Sequence, residues 1–152
     1  MEIWNLNRKH FTGKEIAEKQ EISRPAVSQA LREANERIKA LLENAAKSNK
    51  ICLELLSEKY GYARGRSGMF KTTAYITYSP KNGLQVWYDH KGHCESCDEY
   101  GDCRRIILQE FKERYLKVPN DALIPTKLGE ILFQEIEEFI QREEQIKIEQ
   151  NK

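Results

Sequence analysis

Two helix starts in close succession, at Thr12 and Ser23, do most to limit what this chain can fold into. Thr12 precedes G-K-E-I-A-E-K, and Glu15 completes a Thr-x-x-Glu capping box, in which each residue's side chain satisfies the other's orphan backbone donor. Ser23 precedes Arg24 and Pro25, so a hydroxyl caps a second helix and proline sits in its first turn, where no amide donor is lost. The short run Q-E-I between them allows only a tight turn. The second helix is expected to run from Arg24 to about Leu56. Val27, Leu31, Ala34, Ile38, Leu41, Ala45, Ser48, Cys52 and Leu55 follow a 4-3-4-3 spacing, a heptad seam with one polar exception. Such a seam can pair with its twin in a dimer or with an element of its own chain.

A short helix, a tight turn and a helix opening on Ser, small residues and Val-Ser-x-x-Leu together suggest a helix-turn-helix. The segment FTGKEIAEKQEISRPAVSQALREANERI resembles the helix-turn-helix of prokaryotic and archaeal regulators, nearest to the sigma region-four, LuxR and Tfx-like kind. The resemblance covers roughly residues 11–45. It implies a small core of Ile16, Ala17, Ile22, Val27 and Leu31, and binding to double-stranded DNA. Only ten residues precede Phe11, so the supporting helix of such proteins is expected to be missing or cut down, with Ile3, Trp4 and Leu6 completing the core.

A recognition helix enters the major groove and reads bases from its first turns. Its outward positions here are Arg24, Ser28, Gln29 and Arg32. Arginine pairs bidentately with guanine and glutamine with adenine, and a serine hydroxyl suits a base edge or a phosphate. Arg8, Lys9, Lys14, Arg37 and Lys39 are candidate phosphate contacts, which position the protein without specifying sequence. Charge runs the same way. Residues 1–90 carry 15 Lys and Arg against 10 Asp and Glu, whereas residues 91–152 carry 10 against 14. A basic front and an acidic back suit a protein whose front meets a polyanion. Ordinary solvated surface accounts for the asymmetry nearly as well. Helix-turn-helix proteins commonly read paired half-sites as dimers, which makes a homodimer the expected assembly.

In the middle, Y-G-Y-A-R-G-R-S-G is expected to be a mobile linker, since three glycines break a periodic pattern. It lacks the features of a phosphate-binding loop. M-F-K-T-T-A-Y-I-T-Y and L-Q-V-W-Y-D, joined by S-P-K-N-G, predict a β-hairpin. Lys71 and Lys81 would let it act as a wing on DNA, but its distance in sequence from the recognition helix favours a structural hairpin that leads into the cysteines.

The stretch D-H-K-G-H-C-E-S-C-D-E-Y-G-D-C-R-R carries the densest chemistry. Cys94 and Cys97 form a Cys-x-x-Cys pair, Cys103 follows, and His90 or His93 can complete a closed Cys3His zinc site of the structural kind. An iron–sulfur cluster, with Cys52 or a histidine as the fourth ligand, is the alternative. Soft thiolates serve both metals. A reversible disulfide is a third reading, which the acidic neighbours Glu95, Asp98, Glu99 and Asp102 oppose by raising thiol pKa values. No His-x-Glu stands ahead of the cysteines as a zinc deaminase requires, and no nucleophile–base pair is evident, so no enzymatic activity is expected.

Beyond the cysteines, R-R-I-I-L-Q-E-F-K-E-R-Y-L predicts a helix with Ile107, Phe111 and Leu116 inward, and V-P-N-D-A-L-I-P-T breaks it. A last helix starts at Pro125 or Thr126, with a stripe of Leu128, Ile131, Leu132, Ile136, Phe139 and Ile140 interrupted by Glu135. The expected fold is mainly α with a small β-hairpin. Residues 1–60 hold the helix-turn-helix and long helix; residues 61–152 hold the hairpin, the cysteine segment and the C-terminal helices. No apolar run suits a membrane span or a secretory signal, which points to the cytoplasm. The expected function is a DNA-binding regulator. A protein-interaction adaptor of the transcription machinery and an iron–sulfur redox sensor are its rivals.

Overall fold

The computed structural model of the chain describes residues 1–120 and 122–152. It is an α+β structure in which helix predominates, with one four-stranded antiparallel sheet among the described residues. Two compact units, Met1–Tyr88 and Asp89–Lys152, make it up. The sequence alone suggested a boundary at residue 60. The sheet carries the first unit on to Tyr88, because its strands share one hydrogen-bonded ladder.

The first unit begins with three helices, α1 (Glu2–Arg8), α2 (Gly13–Gln20) and α3 (Arg24–Ser48). A short helix, α1, thus precedes Phe11. The capping box at Thr12 forms as expected: the Thr12 hydroxyl accepts from the Glu15 amide, and the Glu15 carboxylate accepts from the Thr12 amide at 2.7 Å. Ser23 caps α3 by accepting from the Ala26 amide at 3.2 Å. Between the helices, Glu21 adopts a left-handed conformation (φ 54°). The Ile22 amide then reaches back to the Ala17 carbonyl and the Glu21 amide to that of Glu18, a Schellman closure of α2. Leu6, Ile16, Ala17 and Val27 form a small core, with Ile3, Phe11 and Leu31 partly buried against it. Ile22, which the resemblance put in that core, is 38% exposed. The left-handed turn at Glu21 carries it out of the cluster.

Helix α3 ends at Ser48 rather than near Leu56. Asn49 caps it, Lys50 turns with a positive φ, and Ile51–Ser57 forms strand β1. The leucines of I-C-L-E-L-L-S suit a helix by propensity, but the residues alternate in exposure along the first half of a strand. Strand β2 (Tyr62–Ser67) runs through the segment expected to be a mobile linker, between β1 and β3 (Thr73–Ser79), and β4 (Gly83–Tyr88) closes the order β1-β2-β3-β4. Its glycine is a close-approach site, not a breaker: a Cβ on Gly65 would overlap the Cys52 carbonyl of β1. The expected β3–β4 hairpin is present, with Gly83 at φ 65°.

The seam of α3 is used within the chain. Ala34, Ile38, Leu42, Ala45 and Ala46 pack with Ile51, Ala63, Ala74 and Ile76 of the sheet. Leu42, not Leu41, is the buried member, and Leu41 is exposed. Cys52 and Leu55 belong to β1. Trp4, expected in the helical core, joins the sheet core instead and donates its indole N–H to the Glu58 carbonyl at 3.0 Å. Arg8, proposed above as a phosphate contact, is only 2% exposed; it bonds Asn5 Oδ1 at 2.7 Å and lies over the Trp4 ring.

The second unit is a helical hairpin preceded by a loop. The loop contains a 3-10 turn at Cys94–Ser96 and leads into α4 (Tyr100–Glu113); α5 spans Pro125–Gln150. Asp121, within the proline-bounded break between them, lies outside the described residues. Ile107 and Phe111 of α4 are buried, as are Leu128, Leu132, Ile136 and Ile140 of α5. Leu116 lies beyond the end of α4 and is half-buried, like Ile131, Glu135 and Phe139. A Cβ at the buried Gly129 would stand 3.9 Å from Ile107 Cδ1 of α4, ordinary packing distance. The buried charges of this unit include Glu110 and Arg114, one turn apart and joined at 2.9 Å.

Candidate functional site

Two surfaces carry the residues singled out above. The first is the N-terminal end of α3. Val27 and Leu31 turn toward Leu6, Ile16 and Ala17, so the opposite side of the helix faces out. Arg24, Ser28, Gln29 and Arg32 are all exposed there. At 3.6 residues per turn, Gln29 lies near the middle of that outward face, with Arg32 and Lys39 along one flank and Arg37 on the other. Lys14, Arg37 and Lys39 are also exposed. Several of these side chains have acidic neighbours. Gln29 Nε2 donates to Glu33 Oε1 at 3.1 Å, Lys14 stands 4.0 Å from Glu18, and Lys39 stands 3.9 Å from Glu43. These exposed pairs are weak, worth under about 1 kcal/mol each, so a stronger anion can displace them. Lys71 and Lys81 fall in turns at opposite ends of β3, and one hairpin tip does not present both.

The second surface is the cysteine loop. Cys94 is buried, and its thiol donates to Thr126 Oγ1 in the first turn of α5 at 3.6 Å. Cys97 is exposed as the residue that ends the 3-10 turn, and Cys103 is half-buried in the first turns of α4. Burial pushes the Cys103 thiol pKa up, and Cys97, Glu99, Cys94 and Asp102 add to the rise through their charges. Among the described residues, no three His, Cys, Asp or Glu side chains already converge as a metal shell. The donor chemistry still suits a soft cation: three thiols and two imidazoles lie within residues 90–103, where the loop has no α-helix or strand of its own before Tyr100. His90 and His93 are both exposed. Cys52, offered above as a fourth ligand to an iron–sulfur cluster, lies on β1 in the other unit.

Sequence reasoning missed Thr126 and Gly92. Threonine at a helix start reads as a cap, and its contact with Cys94 spans more than thirty residues of chain. The exposed His90 ring lies beside Gly92, a contact that local pattern does not reveal. Among the described residues, no helix is long and apolar enough to cross a membrane. No protein-family model, curated protein or solved structure matches the chain.

Proposed function

We propose that this chain is a sequence-specific DNA-binding transcription regulator, in which α2 and α3 act as a helix-turn-helix and the cysteine loop holds a metal ion. One observation carries the first part. Arg24, Ser28, Gln29 and Arg32 stand exposed on the opening turns of α3, while Val27 and Leu31 of the same turns anchor the helix on α1 and α2. The three-residue turn through Glu21 and the two capped starts support the same reading. The first unit contains 15 Lys and Arg, which favours approach to a polyanion. Arg24, Gln29 and Arg32 would read base edges, each good bidentate pair contributing about 1–3 kcal/mol of discrimination. Lys14, Arg37 and Lys39 would hold phosphates and set register.

The test is duplex binding by fluorescence anisotropy across a salt series, with a site selected from random sequence. The triple variant R24A/Q29A/R32A should lose the preference for the selected site. The double variant K14Q/R37Q should weaken all duplexes alike and reduce the slope of log K against log salt by about 1.8, or 0.9 per phosphate contact. If the triple variant keeps wild-type preference, this reading of α3 is wrong. Glu33 and Glu36 on the outward side of α3 favour a second reading, an adaptor that contacts protein and not DNA. It requires no salt-dependent duplex binding by the wild type.

For the loop, we read Cys94, Cys97 and Cys103 with one histidine as a closed zinc site of structural duty. Cys94 is fixed against α5 and Cys103 rides on α4, so a shared ion would tie the loop to both helices. Elemental analysis with an absorption spectrum tests this. Zinc and a colourless protein are expected, whereas a brown, iron-containing protein would replace zinc by an iron–sulfur cluster.

A further inference from the structure

We infer that the tip of the β2–β3 hairpin is a second nucleic-acid surface, which takes a single-stranded stretch by stacking a base on Phe70 and holding phosphates with Lys50, Arg66 and Lys71. It is separate from the opening turns of α3. The Lys50 carbonyl, just past the end of that 25-residue helix, accepts from the Gly68 amide at 3.0 Å, so the tip lies at the helix's other end. The turn is closed from within: the Ser67 amide donates to the Thr72 carbonyl at 2.8 Å, and the Ser67 hydroxyl accepts from the Phe70 amide at 3.0 Å. Met69 and Phe70 are nonetheless 59% and 57% exposed, more than any other large hydrophobic residue of the first unit. Two such neighbours at one tip form a patch, which a single exposed apolar side chain does not.

Cations share the tip with them. Lys50, Arg66 and Lys71 are all exposed, and Arg66 Nη2 donates to the Lys71 carbonyl at 2.8 Å. Lys50 and Lys71 both hold φ at 53°, where glycine is less strained. Turn geometry alone would favour glycine at both places, and lysine puts charge there instead. Residues 45–53 and 65–88 contain no Asp or Glu, and Glu54, just outside them, is engaged by Arg64 at 2.6 Å. An apolar and basic tip suits either a nucleic-acid strand or an anionic lipid surface. The setting of Phe70 favours the strand. Its ring stands edge-on to Tyr88, with centroids 4.7 Å apart at 69°, and the Tyr88 hydroxyl donates to Asn49 Oδ1 at 3.4 Å. A ring oriented in this way is a platform for a planar base, whereas insertion into lipid asks only for apolar bulk. The strand must be single, since the bases of a duplex already stack on one another.

The experiment is anisotropy of a labelled oligothymidine of about 12 nucleotides, within the span that such surfaces cover, with the full-length protein across a salt series. Phe70→Ala and Phe70→Leu should each weaken binding by about 5- to 100-fold, the loss of one stacked base, and Phe70→Tyr should keep wild-type affinity. Lys50→Gln with Lys71→Gln should reduce the slope of log K against log salt by about 1.4, or 0.7 per phosphate of a single strand. R24A/Q29A/R32A should bind the oligothymidine as wild type does, so this surface and the duplex reading of α3 stand or fall separately. A wild type that ignores the strand overturns the inference, as does a Phe70→Leu variant that binds it undiminished. So does loss of strand binding in R24A/Q29A/R32A, or Phe70-dependent retention on phosphatidylserine vesicles without strand binding.

Discussion

Replacing Glu21 by glycine should make the protein more stable, although it removes a side chain from the surface. Glu21 holds a left-handed conformation (φ 54°) at the turn between α2 and α3. A residue with a Cβ loses about 1–2 kcal/mol in that region, and glycine relieves nearly all of it. Against this, glycine gives the unfolded chain more freedom, which costs about 0.5–1 kcal/mol. The net expectation is a gain of about 0.5–1 kcal/mol, or about 1–4 °C in Tm for a chain of this size. Glu21→Ala is the control: it keeps the Cβ, and with it the strain, and should fall within about 0.5 kcal/mol of wild type. Urea unfolding of the full chain followed by tryptophan fluorescence is a suitable assay, because both tryptophans, Trp4 and Trp87, lie in the first unit. Equal stability of Glu21→Gly and Glu21→Ala would show that position 21 is not strained, and the tight-turn geometry argued for α2 and α3 would be lost with it.

Three further outcomes follow from particular contacts. Gly65→Ala should destabilise the sheet by about 3 kcal/mol or more, since the new methyl meets backbone that cannot move aside; denaturant unfolding measures it, and a loss under 1 kcal/mol would contradict the close β1–β2 approach. Arg114→Met should cost about 3–5 kcal/mol by stranding the buried Glu110 carboxylate, whereas adding Glu110→Leu should recover most of the loss; a double variant as unstable as the single would refute the pairing. The Thr12 amide and hydroxyl hold the Glu15 carboxyl below its ordinary 4.5. A lowered folded pKa means the cap stabilises α2 above the unfolded value and is lost as pH falls through the folded one. An acid titration of helix content below pH 4.5 should therefore show a component that Glu15→Gln removes.

The helix starts were legible in the sequence because capping is local: Thr12, Glu15, Ser23 and Pro25 act within a few residues of one another. Strand β3 and strand β4 were legible for the same reason, through the S-P-K-N-G turn between two runs rich in β-branched and aromatic residues. The first half of the sheet was hidden. In β2 one face carries Ala63 and Gly65, too small to mark a period of two, and the other carries the buried Tyr62 beside Arg64 and Arg66. In β1 three leucines imitate the helix before it, and only the long-range pairing of Leu53 with Gly65 and Leu56 with Ala63 decides for a strand. The seam of α3 was correctly seen as apolar, but periodicity does not say whether a sheet or a twin helix covers it. The exposed face at Arg24, Ser28, Gln29 and Arg32 was readable, since it is the complement of the buried positions. Arg8 was misjudged because a cation near a chain end is usually solvated, whereas here Trp4 and Asn5 of the same helix enclose it. At the cysteine loop, spacing identified the thiols, and the contact of Cys94 with Thr126 emerged only in three dimensions.

Whether the opening turns of α3 read duplex DNA is the claim on which the rest depends. The most direct measurement is the equilibrium affinity of the full-length protein for its selected duplex as a function of salt, with a scrambled duplex as competitor. Five exposed cations on α2 and α3 (Lys14, Arg24, Arg32, Arg37 and Lys39) set an upper slope of about −4.5 in log K against log salt. The three phosphate contacts alone give about −2.7, so the expected slope is about −2.7 to −4.5, with a preference for the selected site of at least about 1000-fold. A slope near zero, or equal affinity for the two duplexes, would contradict it.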